Sequence, residues 1–131
     1  MSGKESVLWD TNIVIAFFKQ EEKVLAPVRK GVNVYVPIIV IGELYFGAEK
    51  SQHQQANRQK IEALTQETTV LYCLDETPKH YARIKNQLKI KGAPIPENDI
   101  WIAAIAQEYN LPLITRDQHF KHIDRLQIIQ W

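Results

Sequence analysis

"ENDIWIAAIAQEYNLPLITRDQHF", residues 97–120, joins two patterns and places an acid at the start of one and just beyond the other. Its first half carries apolar residues at helical spacing and predicts a helix over 98–109. Its second half holds "LPLIT" (111–115), a short apolar run of strand type. Counting from Asp99, the residues three, four and seven positions on are Ile102, Ala103 and Ala106. The carboxylate therefore shares the stripe expected to face the core. Asp117 follows the strand by two residues.

The same two periodicities run outward through the chain. Strands are expected at "SVLW" (6–9), "NVYVP" (33–37), "TTVLYC" (68–73), 111–115 and "LQIIQW" (126–131). Helical spacing fills roughly 12–30 in two pieces, 38–50, 52–66, 76–91 and 98–109. Thr77 reads as an N-cap with Pro78 at the first helical position. "KGAPIPEN" (91–98) reads as a loop, and "SQHQQANRQK" (51–60) as a solvated helix face. Strands alternating with helices point to an α/β fold, a parallel sheet covered on both faces.

Bulk properties narrow the class. The 131 residues suit one compact domain, 1–131. A net charge of +1 removes the global positive field of a protein that binds nucleic acid by electrostatics alone, so a nucleic-acid substrate would need a local site. Cys73, the single cysteine, has no partner for an internal disulfide and is expected to be a small buried hydrophobe in a reducing cytoplasm. The N-terminus has no apolar export signal, and no run approaches the ~18 apolar residues of a membrane span. No membrane association is expected.

In an open parallel sheet, ligands bind beyond the carboxyl ends of the strands. Asp10 closes the first strand in "VLWDTN", Asp117 follows a later one, and Asp99 begins a helix. Glu43 interrupts an apolar stripe of Ile39, Val40, Phe46 and Gly47 in "PIIVIGELYFGAEK" (37–50). Each acid also has an ordinary structural use. Asp10 can cap a helix, Asp99 can meet a helix dipole, Glu43 can reach solvent or an arginine, and Asp117 can cap a turn. Together they fall where the topology gathers side chains at one end of the sheet. Two carboxylates about 4 Å apart repel by roughly 4 kcal/mol at an effective dielectric of 20, so four need compensation. Mg²⁺ or Mn²⁺, which take hard oxygen ligands together with substrate phosphate, would supply it. No zinc-type spacing is present, and His119 and His122 are expected to be exposed polar residues.

"LWDTNIVIAFF" (8–18), "IGELYFGAEKS" (41–51) and the opening stretch together resemble the PIN domain, most closely the VapC-type ribonuclease toxins of prokaryotic toxin–antitoxin pairs. The resemblance covers essentially the whole chain and rests on the order of D-T-N, G-E-L-x-x-G, N-D-x-x-I-A-A and T-x-D-x-x-F. It implies a three-layer α/β/α fold around a central, mostly parallel five-stranded sheet. It carries the acidic metal site onto Asp10, Glu43, Asp99 and Asp117, with Asp10 and Asp99 the principal ligands. Thr11, Asn12, Asn98 and Thr115 match polar positions that orient these ligands.

The activity implied is Mg²⁺- or Mn²⁺-dependent endonucleolytic hydrolysis of single-stranded or loop RNA, a structured RNA such as transfer RNA included. Asp10 and Asp99 would hold the ion, Asp117 would complete the cluster or hold a second ion, and Glu43 would orient or deprotonate water. Arg116, Lys89 and Lys91 are candidates for phosphate steering. The partners implied are a homodimer mate and a cognate antitoxin that covers the acidic groove. Its apolar segment would lie between the "ELYFGAEK" helix and the next, with Tyr45 or Phe46 in the wall. Trp101 and Tyr109 are expected to pack rather than to stack on bases. A catalytically silent PIN-like binding domain is the alternative. A Mg²⁺-dependent aspartyl phosphatase would want an acid where Asn12 stands, and a receiver-like domain would want paired early acids.

Overall fold

Residues 5–131 are described here from a computed structural model. Five strands, β1 (Ser6–Trp9), β2 (Asn33–Pro37), β3 (Thr69–Leu71), β4 (Leu113–Ile114) and β5 (Ile128–Ile129), alternate with six helices. The helices are α1 (Thr11–Phe18), α2 (Glu22–Arg29), α3 (Ile38–Lys50), α4 (Gln54–Glu67), α5 (Thr77–Lys91) and α6 (Glu97–Glu108). The strands form one sheet in the order β3-β2-β1-β4-β5, and every neighbouring pair is parallel. The helices and the first two strands follow the expected bounds closely, while the last three strands are shorter than their apolar runs. In 111–115, Pro112 has no N–H to give a ladder, though its carbonyl accepts from Leu8 N–H at 2.9 Å.

Four helices end in the same way. Gln20, Gly31, Gly92 and Asn110 adopt positive φ after α1, α2, α5 and α6. In each case the following amide reaches back to a carbonyl in the last helical turn, Leu111 N–H to Ala106 O at 2.9 Å among them. This left-handed ending satisfies carbonyls that a helix terminus leaves open and turns the chain sharply. After α6 it delivers the chain directly into β4.

The core runs through the sheet and the helices that cover it: Val7, Leu8, Trp9, Ile13, Val36, Val40, Leu64, Ile84, Ile102, Ile105, Leu113 and Phe120 are all buried. Right-handed crossovers put α1 to α4 on one face, while the return from β3 to β4 places α5 and α6 on the other. Chain order reverses between β1 and β4, so the connections leaving these two strands diverge and open a crevice at their carboxyl ends.

Two local expectations are corrected. Thr77 is not the N-cap, which is Glu76. The Thr77 side chain is instead fully buried, accepting from Leu74 N–H at 2.9 Å and donating to Glu108, so it pins α5 to α6. Cys73 is exposed rather than buried, because the chain leaves β3 at Leu71 and residues 72–74 lie on the surface. Among the described residues, no helix is long and apolar enough to cross a membrane.

Candidate active site

Asp10 sits at the reversal point. It follows β1, its N–H donates to Ile114 O at 3.0 Å across to β4, and it is 2% exposed. Its Oδ1 accepts from Thr11 N–H at 2.8 Å and its Oδ2 from the Thr115 hydroxyl at 2.7 Å. The capping expectation for Asp10 therefore holds only at the first helical amide. Burial drives its carboxyl up to about 6 from 3.8, the two hydrogen bonds oppose this, and Asp99 and Asp117 add to the rise. A carboxylate held so deep stays charged at neutral pH only against resistance.

The other three acids converge on it from separate elements. Asp99 lies in the first turn of α6, on the same stripe as buried Ile102, Ala103 and Ala106, where the helix dipole favours negative charge. Its side chain is 13% exposed, and burial raises its carboxyl, with His119 opposing and Glu43 and Asp117 reinforcing. Asp117 stands at the N-cap position of the 3₁₀ turn Gln118–His122, but its side chain makes no capping hydrogen bond. Its N–H donates to Thr115 Oγ1 at 3.0 Å, so one buried threonine positions both Asp10 and Asp117. Glu43 projects from α3, with Oε1 accepting from the Thr11 hydroxyl and Oε2 from Asn98 Nδ2 at 3.4 Å. Its stripe is only partly a core face: Val40 is buried but Phe46 is exposed, and the buried side of α3 is completed by Ile41, Leu44 and Ala48.

Asp10, Thr11, Asn12, Ile15, Glu43, Asn98, Asp99 and Asp117 line one open cleft of about 560 Å³, completed by Pro96 and Glu97. A larger cavity of about 920 Å³ lies between α2 and the C-terminus, but its ionisable side chains are only Glu5, Lys23 and Lys30. Among the described residues, no lysine or arginine comes within ion-pair distance of any of the four cleft acids, while six other acids have such a partner.

The three predicted phosphate-steering bases are not brought to the cleft. Arg116 turns away from its neighbour Asp117 to meet Glu21 and the Trp131 carbonyl, both at 3.0 Å. Its backbone N–H is held by Asn12 Oδ1 at 3.3 Å. Lys91 pairs with Asp124 at 2.8 Å and donates to the His122 carbonyl, and Lys89 lies exposed in the last turn of α5.

His119, expected to be exposed, is half-buried beside the acids, with Nε2 2.8 Å from Asp99 Oδ2 and 4.0 Å from Asp117 Oδ2. The 3₁₀ turn buries Phe120 and thereby directs the preceding side chain back to α6. A buried phenylalanine two residues before a solvated His122 was the sequence signal, but only with the turn type known. Trp101 packs as expected, stacked on Tyr81 with centroids 4.0 Å apart. The groove beside the cleft runs between α1, α3 and α4 and includes Ile15, Phe18, Leu44, Ala48 and Ile61. Neither Tyr45 nor Phe46 forms its wall, since Phe46 points outward beneath Lys50, 4.4 Å from its ring.

The donor set fits a divalent cation. Carboxylate oxygens of Asp99 and Asp117 and a ring nitrogen of His119 lie within 4.8 Å of one another, and hydroxyl and amide donors occupy only part of the acceptor capacity of Asp10 and Glu43. The described PIN domain model matches residues 7–126. Ribonuclease VapC1 of Haemophilus influenzae (strain R2866) is 35% identical over 126 residues, 93% of this chain and 92% of that protein. The solved structure of VapBC-1 from nontypeable Haemophilus influenzae superposes with a TM-score of 0.87 at 34% identity, covering 96% of this chain and 98% of that one. VapBC2 from Rickettsia felis, bound to a DNA fragment from its promoter, superposes with a TM-score of 0.90 at 25% identity over 96% and 98% of the two chains. Sequence and architecture thus agree: the chain belongs to the PIN-domain family, in its VapC ribonuclease branch.

Proposed function

We propose that the protein is a Mg²⁺- or Mn²⁺-dependent endoribonuclease and the toxin of a VapBC-type pair, acting in the cytoplasm on RNA phosphodiester bonds. The observation that carries this reading is four acids gathered in one cleft, none of them paired with a lysine or arginine among the described residues, beside a fifth, Glu97, that has Lys85 as its partner. Relatives named as ribonucleases support the substrate class, and the VapBC composition of the neighbouring structures supports an antitoxin partner. The groove between α1, α3 and α4 opens beside the acids, sharing Thr11, Ile15 and Glu43 with the cleft. It suits an apolar antitoxin segment whose basic tip reaches the carboxylates. A homodimer and a single domain over 1–131 complete the reading.

In this mechanism Asp10 and Asp99 would hold the cation and Asp117 would complete its surroundings. When bound, the cation supplies positive charge to the phosphate oxygens and acidifies the attacking water. Thr115 keeps Asp10 and Asp117 in mutual register through its single hydroxyl. Glu43, fixed at both oxygens by Thr11 and Asn98, orients the attacking water and accepts its proton. Asn12 holds the backbone at Arg116 and so the start of the segment that carries Asp117.

The test is cleavage of a labelled RNA, with a DNA of the same sequence alongside. Cleavage of RNA with Mg²⁺ or Mn²⁺, its loss in EDTA, and folded but inactive Asp10→Asn and Asp99→Asn proteins are expected. Metal-independent cleavage insensitive to both substitutions would refute the proposal.

A further inference from the structure

His119 is the one nitrogen donor facing the acids, and it is held there by packing. Its ring rests against Phe120 at a centroid distance of 4.9 Å, and Phe120 is fully buried, so the 3₁₀ turn fixes the direction of the imidazole. Nε2 is a buried atom that faces Asp99 Oδ2 at 2.8 Å. It is aimed between Asp99 and Asp117, two carboxylates that have no lysine or arginine partner among the described residues.

The spacing is that of ligands around a common centre. Donors at a bond length of about 2.1–2.2 Å in an octahedron stand about 3 Å apart when adjacent and about 4.3 Å when opposite. The Nε2 distances of 2.8 Å to Asp99 and 4.0 Å to Asp117 are near an adjacent and an opposite separation, and all three donors lie within 4.8 Å of one another, so Asp117 has to move in towards Asp99 for the three to share one ion. The donor chemistry then separates two cations. Mg²⁺ takes hard oxygen ligands and keeps its waters, whereas imidazole raises the relative affinity for first-row transition ions.

We propose that His119 Nε2 is a ligand, with Asp99 and Asp117, of a divalent cation, and that this nitrogen makes the position select Mn²⁺ over Mg²⁺. This rests on the cation-dependent reading above and adds to it a residue outside the four acids and a metal preference. Asp99 then serves on two sides, towards Asp10 through oxygen-only surroundings and towards His119 through a mixed set.

The test reads the ion itself. Purified wild-type protein, His119→Gln and, as a control, His122→Gln are titrated with Mn²⁺ and with Mg²⁺ alone, and bound Mn²⁺ is examined by electron spin-echo envelope modulation. The wild type and His122→Gln should show imidazole ¹⁴N modulation, and His119→Gln should lose it. The Mn²⁺ affinity of His119→Gln should fall about tenfold or more, and its Mg²⁺ affinity less than twofold. Circular dichroism of the metal-free proteins should be unchanged. Bound Mn²⁺ without ¹⁴N modulation, modulation that survives in His119→Gln, or equal losses for the two ions would overturn the proposal while leaving a cation-dependent nuclease intact. Absence of any bound cation, together with metal-independent cleavage, would overturn both.

Discussion

On the periphery of the molecule Glu22 meets Arg29 at 2.6 Å, Glu49 meets Arg58 at 2.6 Å and Glu76 meets Lys79 at 3.1 Å. In the cleft, Asp10, Glu43, Asp99 and Asp117 meet hydroxyls, amides and one histidine, and no lysine or arginine among the described residues. The peripheral pairs are exposed and individually worth little. Asp10 and Asp99 lie deeper, their carboxyls raised by burial and by the neighbouring acids, and they were left without the lysine or arginine that surface acids receive. A fold under selection for stability alone would neutralise the buried pair first. The difference is the one expected under the proposed function, in which charge in the cleft is reserved for a cation that arrives from outside the chain.

That contrast can be broken most severely by removing the reserved charge. Asp10→Asn or Asp99→Asn should lower RNA cleavage by about a thousandfold or more, a large share of what metal-assisted hydrolysis supplies, with an unchanged circular dichroism spectrum. The same substitution sharpens the contrast in the absence of metal. Asp10 has a folded-state value near 6 against 3.8, so the native state binds more protons than the unfolded chain between these values. Its contribution to stability is therefore full below about pH 4 and is lost as pH rises through 6. Denaturant titrations in EDTA at pH 4.5, 5.5 and 7 should show wild type losing on the order of 2 kcal/mol relative to Asp10→Asn across this range.

A smaller effect should follow from giving the cleft the base it lacks. Ile15 lines the cleft and is 42% exposed, so Ile15→Arg should fold normally and place a guanidinium beside the acids. Cation affinity, measured by calorimetry, should drop about tenfold, because the guanidinium competes for the same oxygens. The smallest effect belongs to the periphery. Arg29→Ala should cost about 0.2–1 kcal/mol by denaturant melt and leave cleavage unchanged, as for other exposed pairs.

Much of this arrangement was legible in the residues. Strand ends and helix starts are written in local periodicity, and the carboxyl-end rule turns those positions into space, which is why Asp10, Asp99 and Asp117 were found and do meet. Glu43 was found from a stripe that is core only at Val40 and exposed at Phe46, which leaves the carboxylate at the cleft rim. What failed to read was direction in irregular segments. Arg116 adjoins Asp117 in sequence yet points to Glu21. His119 looked solvated until the 3₁₀ turn set its side chain, Cys73 looked buried until β3 stopped at Leu71, and Thr77 looked like a cap until α6 covered it. For Arg116, His119 and Thr77 the deciding contact comes from an element far away in the chain, which spacing cannot report.

The hydrogen bond from Thr115 to Asp10 joins residues 105 positions apart, and it has a consequence for biosynthesis. Chains emerge from the N-terminus, so Asp10 and Glu43 exist long before their partners, and the β1–β4 seam closes only after the strand that bears Thr115 has been made. A partly synthesised copy holds two of the four acids and neither the hydroxyl nor the turn that align the rest.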